Sequence, residues 1–330
     1  MARNRLALSK QNWLWFLALF GVGFLIFGNG LNGWFVRDDN IVLSHSLFNT
    51  PWSFLKFFDQ PYFEDMPSAG LYRPLTQISF AFNFLFSAKP LGFHLVNLLL
   101  HIVNSYLVYC ILRRWFNNGR LARSVSLLFL VVPIHVEAVT SIVGRAELLS
   151  FSFGLLAFLK WHDFKYLTST TLLLLALLSK EGAIALPAVA FMFSLLYKRD
   201  LKWLYYHLTS VIVFFILRVV VLGKYALGAH VEYIFNPLAY SSFTERVFTS
   251  FKVLALYLQK IFIPYNLTAD YSYNQIAVVK NLLTSPAAIA GLVIFLGAIY
   301  FSFRFLKTKR HQAVFIAIVI FVLFYMPVSN

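Results

Sequence analysis

The chain has 330 residues, 60% of them hydrophobic, and a mean hydropathy of +0.72, well above the roughly 45–50% apolar content of soluble domains. Its formal net charge is +15. Nucleic acid is excluded as the reason for that charge, because Lys and Arg collect in the cytoplasmic loops of membrane proteins and apolar runs near span length recur from end to end. A lone cysteine, Cys110, excludes an internal disulfide framework.

The basic N-terminus (Arg3, Arg5, Lys10) leads into an apolar stretch with no small-residue cleavage site, which predicts a retained signal-anchor span over 13–35. A long outer segment, 36–90, follows. It holds a short aromatic interfacial helix at 51–58 and a non-spanning helix over 74–87, opened by Pro74. Spans are predicted over 91–112, 121–133, 146–160, 166–179, 183–197 and 203–222, with basic clusters alternating to the inner side. Residues 223–283 form a second outer loop. Within it, 244–263 is apolar but carries Glu245, Arg246, Lys252 and Lys260. Laid in the outer interface as an amphipathic helix, it leaves the basic cluster at 304–310 inside, and this is the reading adopted. Spans over 284–303 and 312–328 complete about nine. The sequence therefore predicts an all-α polytopic membrane protein, one transmembrane domain over 1–330 with a seven-span core at 13–222. Of the 13 acids, Asp163 and Asp200 alone lie with the inner basic clusters. The acid-rich outer face is where chemistry is expected.

Five groups on that face could carry it. Asp38 and Asp39 follow the first span directly. Adjacent carboxylates beside apolar sequence repel each other, a pairing that suits a general base; a solvated loop or a helix cap is the alternative. Tyr72-Arg73-Pro74 sets a guanidinium at a helix N-terminus, a phosphate cradle or an interfacial Arg against lipid headgroups. His135, Glu137, Arg145 and Glu147 flank an outer turn without a zinc pattern. Lys180-Glu181 sits at a span end, where charge is costly unless paired or functional. Asp270 and Tyr271 lie in the second outer loop. No P-loop, GxGxxG or separated DxD is present, which argues against a nucleotide-sugar donor.

Taken in order, VRDDN, YRPLTQISFAFNFLF, GFHLVNLLLHIVNSYLVY, PIHVEAVTSIVGRAELLS, LLSKEG and TADYSYN resemble the transmembrane and tetratricopeptide-repeat O-mannosyltransferases. That family belongs to the GT-C glycosyltransferase superfamily, and the likeness runs from about residue 30 to Asn330. The resemblance implies a GT-C fold and an inverting enzyme. It implies a polyprenyl or dolichyl phosphate sugar donor, usually of mannose, and a protein Ser or Thr hydroxyl as acceptor. By position it makes Asp38 the base and Asp39 its support. Beside it, Arg73, Arg145, Lys180, Glu147, Glu181, His135 and Glu137 are the candidates for the donor phosphate and sugar, and Tyr72, Asp270 and Tyr271 for the acceptor side or outer loop. A lipid phosphate leaves with less charge than a nucleotide diphosphate, so no cofactor is required, although the acids leave room for a divalent metal. Relatives continue past the Pro-Val-Ser-Asn sequence into repeats, whereas this chain stops at Asn330; the expectation is either a minimal or truncated enzyme, or acceptor recognition from elsewhere, such as a partner subunit in place of the repeats. The brief termini favour a bacterial inner membrane with a periplasmic active face; a eukaryotic counterpart would face the endoplasmic reticulum lumen. The competing readings are a lipid flippase, which calls for mid-helix charges and internal repeats, and a non-catalytic scaffold.

Overall fold

The computed structural model describes residues 10–50, 53–227, 233, 236–265, 267–268, 271, 275–306 and 312–325. Among them are thirteen α-helices, short 3-10 turns and no strand. The chain divides into two compact units, Met1–Ala229 and His230–Asn330. The first holds α1 Lys10–Phe27, α2 Asp38–Leu43, α3 Pro74–Phe86, α4 Pro90–Phe116, α5 Gly119–Val131, α6 Val136–Thr140, α7 Arg145–His162, α8 Tyr166–Ser179, α9 Leu186–Tyr197 and α10 Trp203–Leu222. The second holds α11 Phe243–Phe262, α12 Pro286–Leu306 and α13 Gln312–Tyr325.

The chain is an integral membrane protein, and four or five of the expected spans among the described residues have the length and hydropathy of a full crossing. Among the described residues four stretches are long and apolar enough to cross a bilayer: Gln11–Asn32, Pro90–Phe116, Trp203–Tyr225 and Pro286–Phe305. A fifth is reached if α5 and Pro133–Thr140, bent by 50°, count as one span. Pro133 breaks that helix because it lacks an amide donor. α8 and α13 are apolar but have 14 residues each, so each reaches about 21 Å against ~30 Å of hydrocarbon. α7 has the length but carries Arg145, Glu147 and Lys160. α11 is 20 residues long, and its charges keep it out of the crossing set. The non-spanning helix of the first outer segment forms as α3, opened by Pro74. The aromatic segment beside it is a 3-10 turn at Phe54–Asp59; residues 51 and 52 lie outside the described set.

α4 is apolar all round except for one stripe. His94, Asn97, His101 and Asn104 recur at spacings of three and four, hence on one face, and all four are buried. Asn97 donates to the Ser141 carbonyl at 2.8 Å. His101 Nε2 meets the Leu130 carbonyl at 3.0 Å. Asn104 donates to the Leu148 carbonyl at 3.0 Å and accepts from the Ser152 hydroxyl at 2.6 Å. These bonds join α4 to α5, to α7 and to the turn before α7. Each contributes about 0.6 kcal/mol in a membrane. Their larger effect is on register, since a slipped helix would strand the amides in hydrocarbon. Asn117 and Lys198 close α4 and α9 in the left-handed conformation.

In the second unit, Ser242 and Glu245 form a capping box at the start of α11. Gly291 lets α12 approach α11 closely, because a Cβ there would lie 1.8 Å from the Phe251 carbonyl oxygen. The Val279 amide donates to the Thr249 hydroxyl at 2.9 Å, and the Tyr325 hydroxyl to the Ser250 carbonyl at 3.2 Å.

Gly144, just before α7, is as constrained. A Cβ there would stand 2.4 Å from the Ala138 carbonyl oxygen, whereas Gly182 has open space. Gly144→Ala should lower stability by about 1–3 kcal/mol through forced backbone movement, and Gly182→Ala should leave it nearly unchanged. Thermal unfolding of the two variants in detergent measures the contrast.

Candidate functional site

Asp38 and Asp39 occupy the first turn of α2, where the helix dipole favours negative charge. The turn into them is strained: Arg37 has φ 49°, a conformation uncommon for a residue with a side chain. The two acids then part. Asp39 is fully buried. Its Oδ2 accepts from the Val36 amide at 3.1 Å and its Oδ1 from the Val143 amide at 2.9 Å. It therefore ties the start of α2 to the turn before α7. Asp38 is exposed, and its carboxylate accepts no hydrogen bond among the described residues.

Two residues beyond Val143, Arg145 opens α7 and is completely buried. Nε donates to Asn97 Oδ1 at 2.9 Å, Nη1 to the Ser79 carbonyl at 3.2 Å and to Asn83 Oδ1, and Nη2 to the Phe93 carbonyl at 2.8 Å. The guanidinium lies 4.8 Å from the Phe80 ring centroid and 5.5 Å from that of Phe93. Four of its five donors are thus spent on neutral oxygens of α3 and α4. Arg145 is a framework cation, closed to an outside phosphate.

A second cluster forms where the N-terminus of α3 meets the end of α8. Thr76 donates to the Ser179 carbonyl at 2.9 Å, which sets Lys180 and Glu181 beside Arg73. Arg73 grips Glu181 bidentately, Nε to Oε2 at 3.0 Å and Nη2 to Oε1 at 2.6 Å. Lys180 pairs with Glu147 of α7. The shifts of the first pair agree. Burial works against ionised Glu181, but the Arg73 charge and hydrogen bonds override it and hold the carboxyl down at about 2. Burial likewise opposes the Arg73 cation, and Glu181 outweighs it and raises that guanidinium.

Tyr62 stands between the two clusters. Its amide donates to the Leu71 carbonyl at 2.9 Å, and the Arg73 guanidinium lies 5.2 Å over its ring. Burial pushes the phenol well above its usual range, with the Arg73 charge opposing and Asp39 and Asp38 adding to the rise. All three charges are therefore within electrostatic reach of one hydroxyl. Sequence reading missed Tyr62, Asn83 and Asn97. Asn97 was legible as part of the polar stripe on α4; Tyr62 and Asn83 become meaningful through tertiary contact alone.

The other candidates lie elsewhere. His135 packs its ring on Phe129 and His101, with centroids 4.4 and 5.2 Å apart, and Glu137 faces outward. Tyr72 is fully buried and its hydroxyl donates to the Phe58 carbonyl at 2.9 Å, so it presents no surface to an acceptor. Tyr271 is exposed; Asp270 lies outside the described residues. Among the described residues no three His, Cys, Asp or Glu side chains gather as a metal site.

Two outcomes follow. Arg145→Lys should destabilise the protein by about 3 kcal/mol or more, since one ammonium cannot reach the acceptors that the fork serves; thermal unfolding checks it. Glu181 is depressed when folded, so its contribution is present above the ordinary value of 4.5 and is lost as pH falls toward about 2. Wild type should lose melting temperature across that window more steeply than Glu181→Gln.

No family model and no solved structure matches the chain. Curated relatives do. Over 152 residues it is 39% identical to protein O-mannosyl-transferase TMTC1 of Mus musculus, covering 44% of this chain and 16% of that protein. Over 218 residues it is 35% identical to Tmtc2 of Drosophila melanogaster, 59% of this chain and 23% of that one. Over 297 residues it is 30% identical to a protein O-mannosyl-transferase of Caenorhabditis elegans, 84% of this chain and 42% of that one. The matched stretches thus span less than half the length of these relatives. Over most of its length, this chain is a homologue of the TMTC family of protein O-mannosyl-transferases.

Proposed function

We propose that this chain transfers a sugar, mannose by the names of its relatives, from a polyprenyl or dolichyl phosphate to a Ser or Thr hydroxyl of a protein. The reaction takes place on the non-cytoplasmic face and inverts the anomeric centre. In this reading the helices form a GT-C arrangement, with the shorter apolar helices completing about nine crossings and α11 in the interface. The observation that carries the reading is the division between the two acids. Asp39 is spent on two backbone amides, so Asp38 is presented rigidly yet with its oxygens unspent. Such a carboxylate can take a proton from an acceptor hydroxyl.

The step balances simply. Asp38 removes the hydroxyl proton, and the acceptor oxygen attacks the anomeric carbon from the side opposite the phosphate. The bond from that carbon to the phosphate oxygen breaks, and the lipid phosphate departs with one added negative charge. Arg73 and Lys180 place positive potential on the same outer face to stabilise it. Arg145 acts behind them as a fixed frame.

The test is transfer from radiolabelled polyprenyl phosphate mannose to membrane proteins. Asp38→Asn should lower transfer about 100-fold or more with unfolding temperature unchanged. Asp39→Asn should lower both. Full activity in Asp38→Asn would overturn the base assignment.

A further inference from the structure

Two buried polar groups near the Arg73–Glu181 pair have no hydrogen-bond partner among the described residues. Arg218, near the end of α10, spends Nε on the Ala226 carbonyl at 2.8 Å and Nη2 on the Gly70 carbonyl at 2.6 Å. Its Nη1 is buried without a partner among the described residues, and no carboxylate pairs with it there. The Tyr62 hydroxyl is likewise buried without a partner among the described residues. Both hold the same short segment: Arg218 grips it at Gly70, and Tyr62 binds Leu71 and lies beneath Arg73. Arg218 is also within electrostatic reach of Glu181 and Arg73. Leaving a donor unsatisfied in a buried site is costly, and doing so twice beside one guanidinium asks for an explanation.

We infer that Arg218 Nη1 and Tyr62 Oη are the hydrogen-bond donors of a phosphate subsite centred on Arg73, which takes the phosphate of the lipid-linked donor. The inference rests on the donor class given above. Phosphate oxygens supply what the two groups lack: several acceptors on one anion. A guanidinium binds phosphate and carboxylate in the same forked geometry. The Glu181 carboxylate, a third exposed at 34%, is then the group that an incoming phosphate displaces from Arg73. Arg218 supplies the positive charge that Glu181 does not already neutralise.

The test is binding by the full chain in detergent, read as a ligand-dependent rise in unfolding temperature and as Kd by native mass spectrometry. The probes are polyprenyl phosphate, polyprenol, inorganic phosphate and phosphatidylglycerol. Wild type should bind polyprenyl phosphate, with Arg218→Lys and Tyr62→Phe each about tenfold weaker or more and polyprenol insensitive to both. Tyr62→Phe removes a hydroxyl that has no partner, so the unliganded protein should be as stable as wild type or more so; a loss of stability would show an internal partner and overturn that assignment. Equal binding of polyprenyl phosphate by wild type and both variants would overturn the subsite and leave the donor class standing. Binding of inorganic phosphate alone, with the same dependence on Arg218, would support the subsite and overturn the lipid donor. Equal competition by phosphatidylglycerol would make it a headgroup site and overturn the donor assignment. No binding of any phosphate probe would overturn the subsite itself.

Discussion

The Arg145 guanidinium is the interaction on which the outer half of the first unit depends. It is fully buried, has no carboxylate partner among the described residues, and reaches α3 through Ser79 and Asn83 and α4 through Phe93 and Asn97. Arg keeps its charge in such a place because its pKa is so high. The cost of burying it is met by fixed carbonyl and amide oxygens and by two aromatic faces. Those oxygens must all be present together, so the cation constrains three helices at once. That is a reason for a buried charge in a membrane protein that owes nothing to a bound ligand.

The acid pair is built on the same frame. Asp39 bonds the Val143 amide, two residues from Arg145, and the Val36 amide before α2. Asn97 bonds both the Ser141 carbonyl and Arg145. The short turn between α6 and α7 is thus held from three sides, and Gly144 allows the backbone to pass Ala138 there. A carboxylate that is to take a proton must be fixed in position while its own oxygens stay unspent. Here the neighbouring residue takes the fixing role and leaves Asp38 exposed. The strained φ of Arg37 is consistent with a turn shaped by its surroundings rather than by local preference.

The cations of this face differ in how much of their charge remains available. Arg145 has four of its five donors on neutral oxygens. Arg73 and Lys180 are neutralised by Glu181 and Glu147. Arg218 has, among the described residues, neither a carboxylate partner nor a full set of acceptors. A phosphate that meets this face can exchange with a carboxylate at Arg73 and can satisfy Arg218 outright. Identical residue types therefore have different chemical prospects, decided by their partners.

Hydropathy and charge determined by themselves that this is a helical membrane protein and where most helices lie. These are local properties: a 20-residue apolar run or a Pro at a helix start needs no partner to be read. The ordered motifs from VRDDN to TADYSYN likewise sufficed to find the family. The span count was less legible, because a run of apolar residues does not say where its helix breaks, as at Pro133, or how long it is, as in the 14-residue α8. Which charge meets which was not legible at all. Arg145 read as a surface phosphate ligand and is a buried tie; Tyr72 read as an acceptor contact and is core. Lys180 and Glu181, adjacent in sequence, pair with different partners, Glu147 and Arg73. Sequence spacing limits which side chains can meet, but burial and hydrogen-bond partners come from helices far apart in the chain, and only the tertiary structure brings those together.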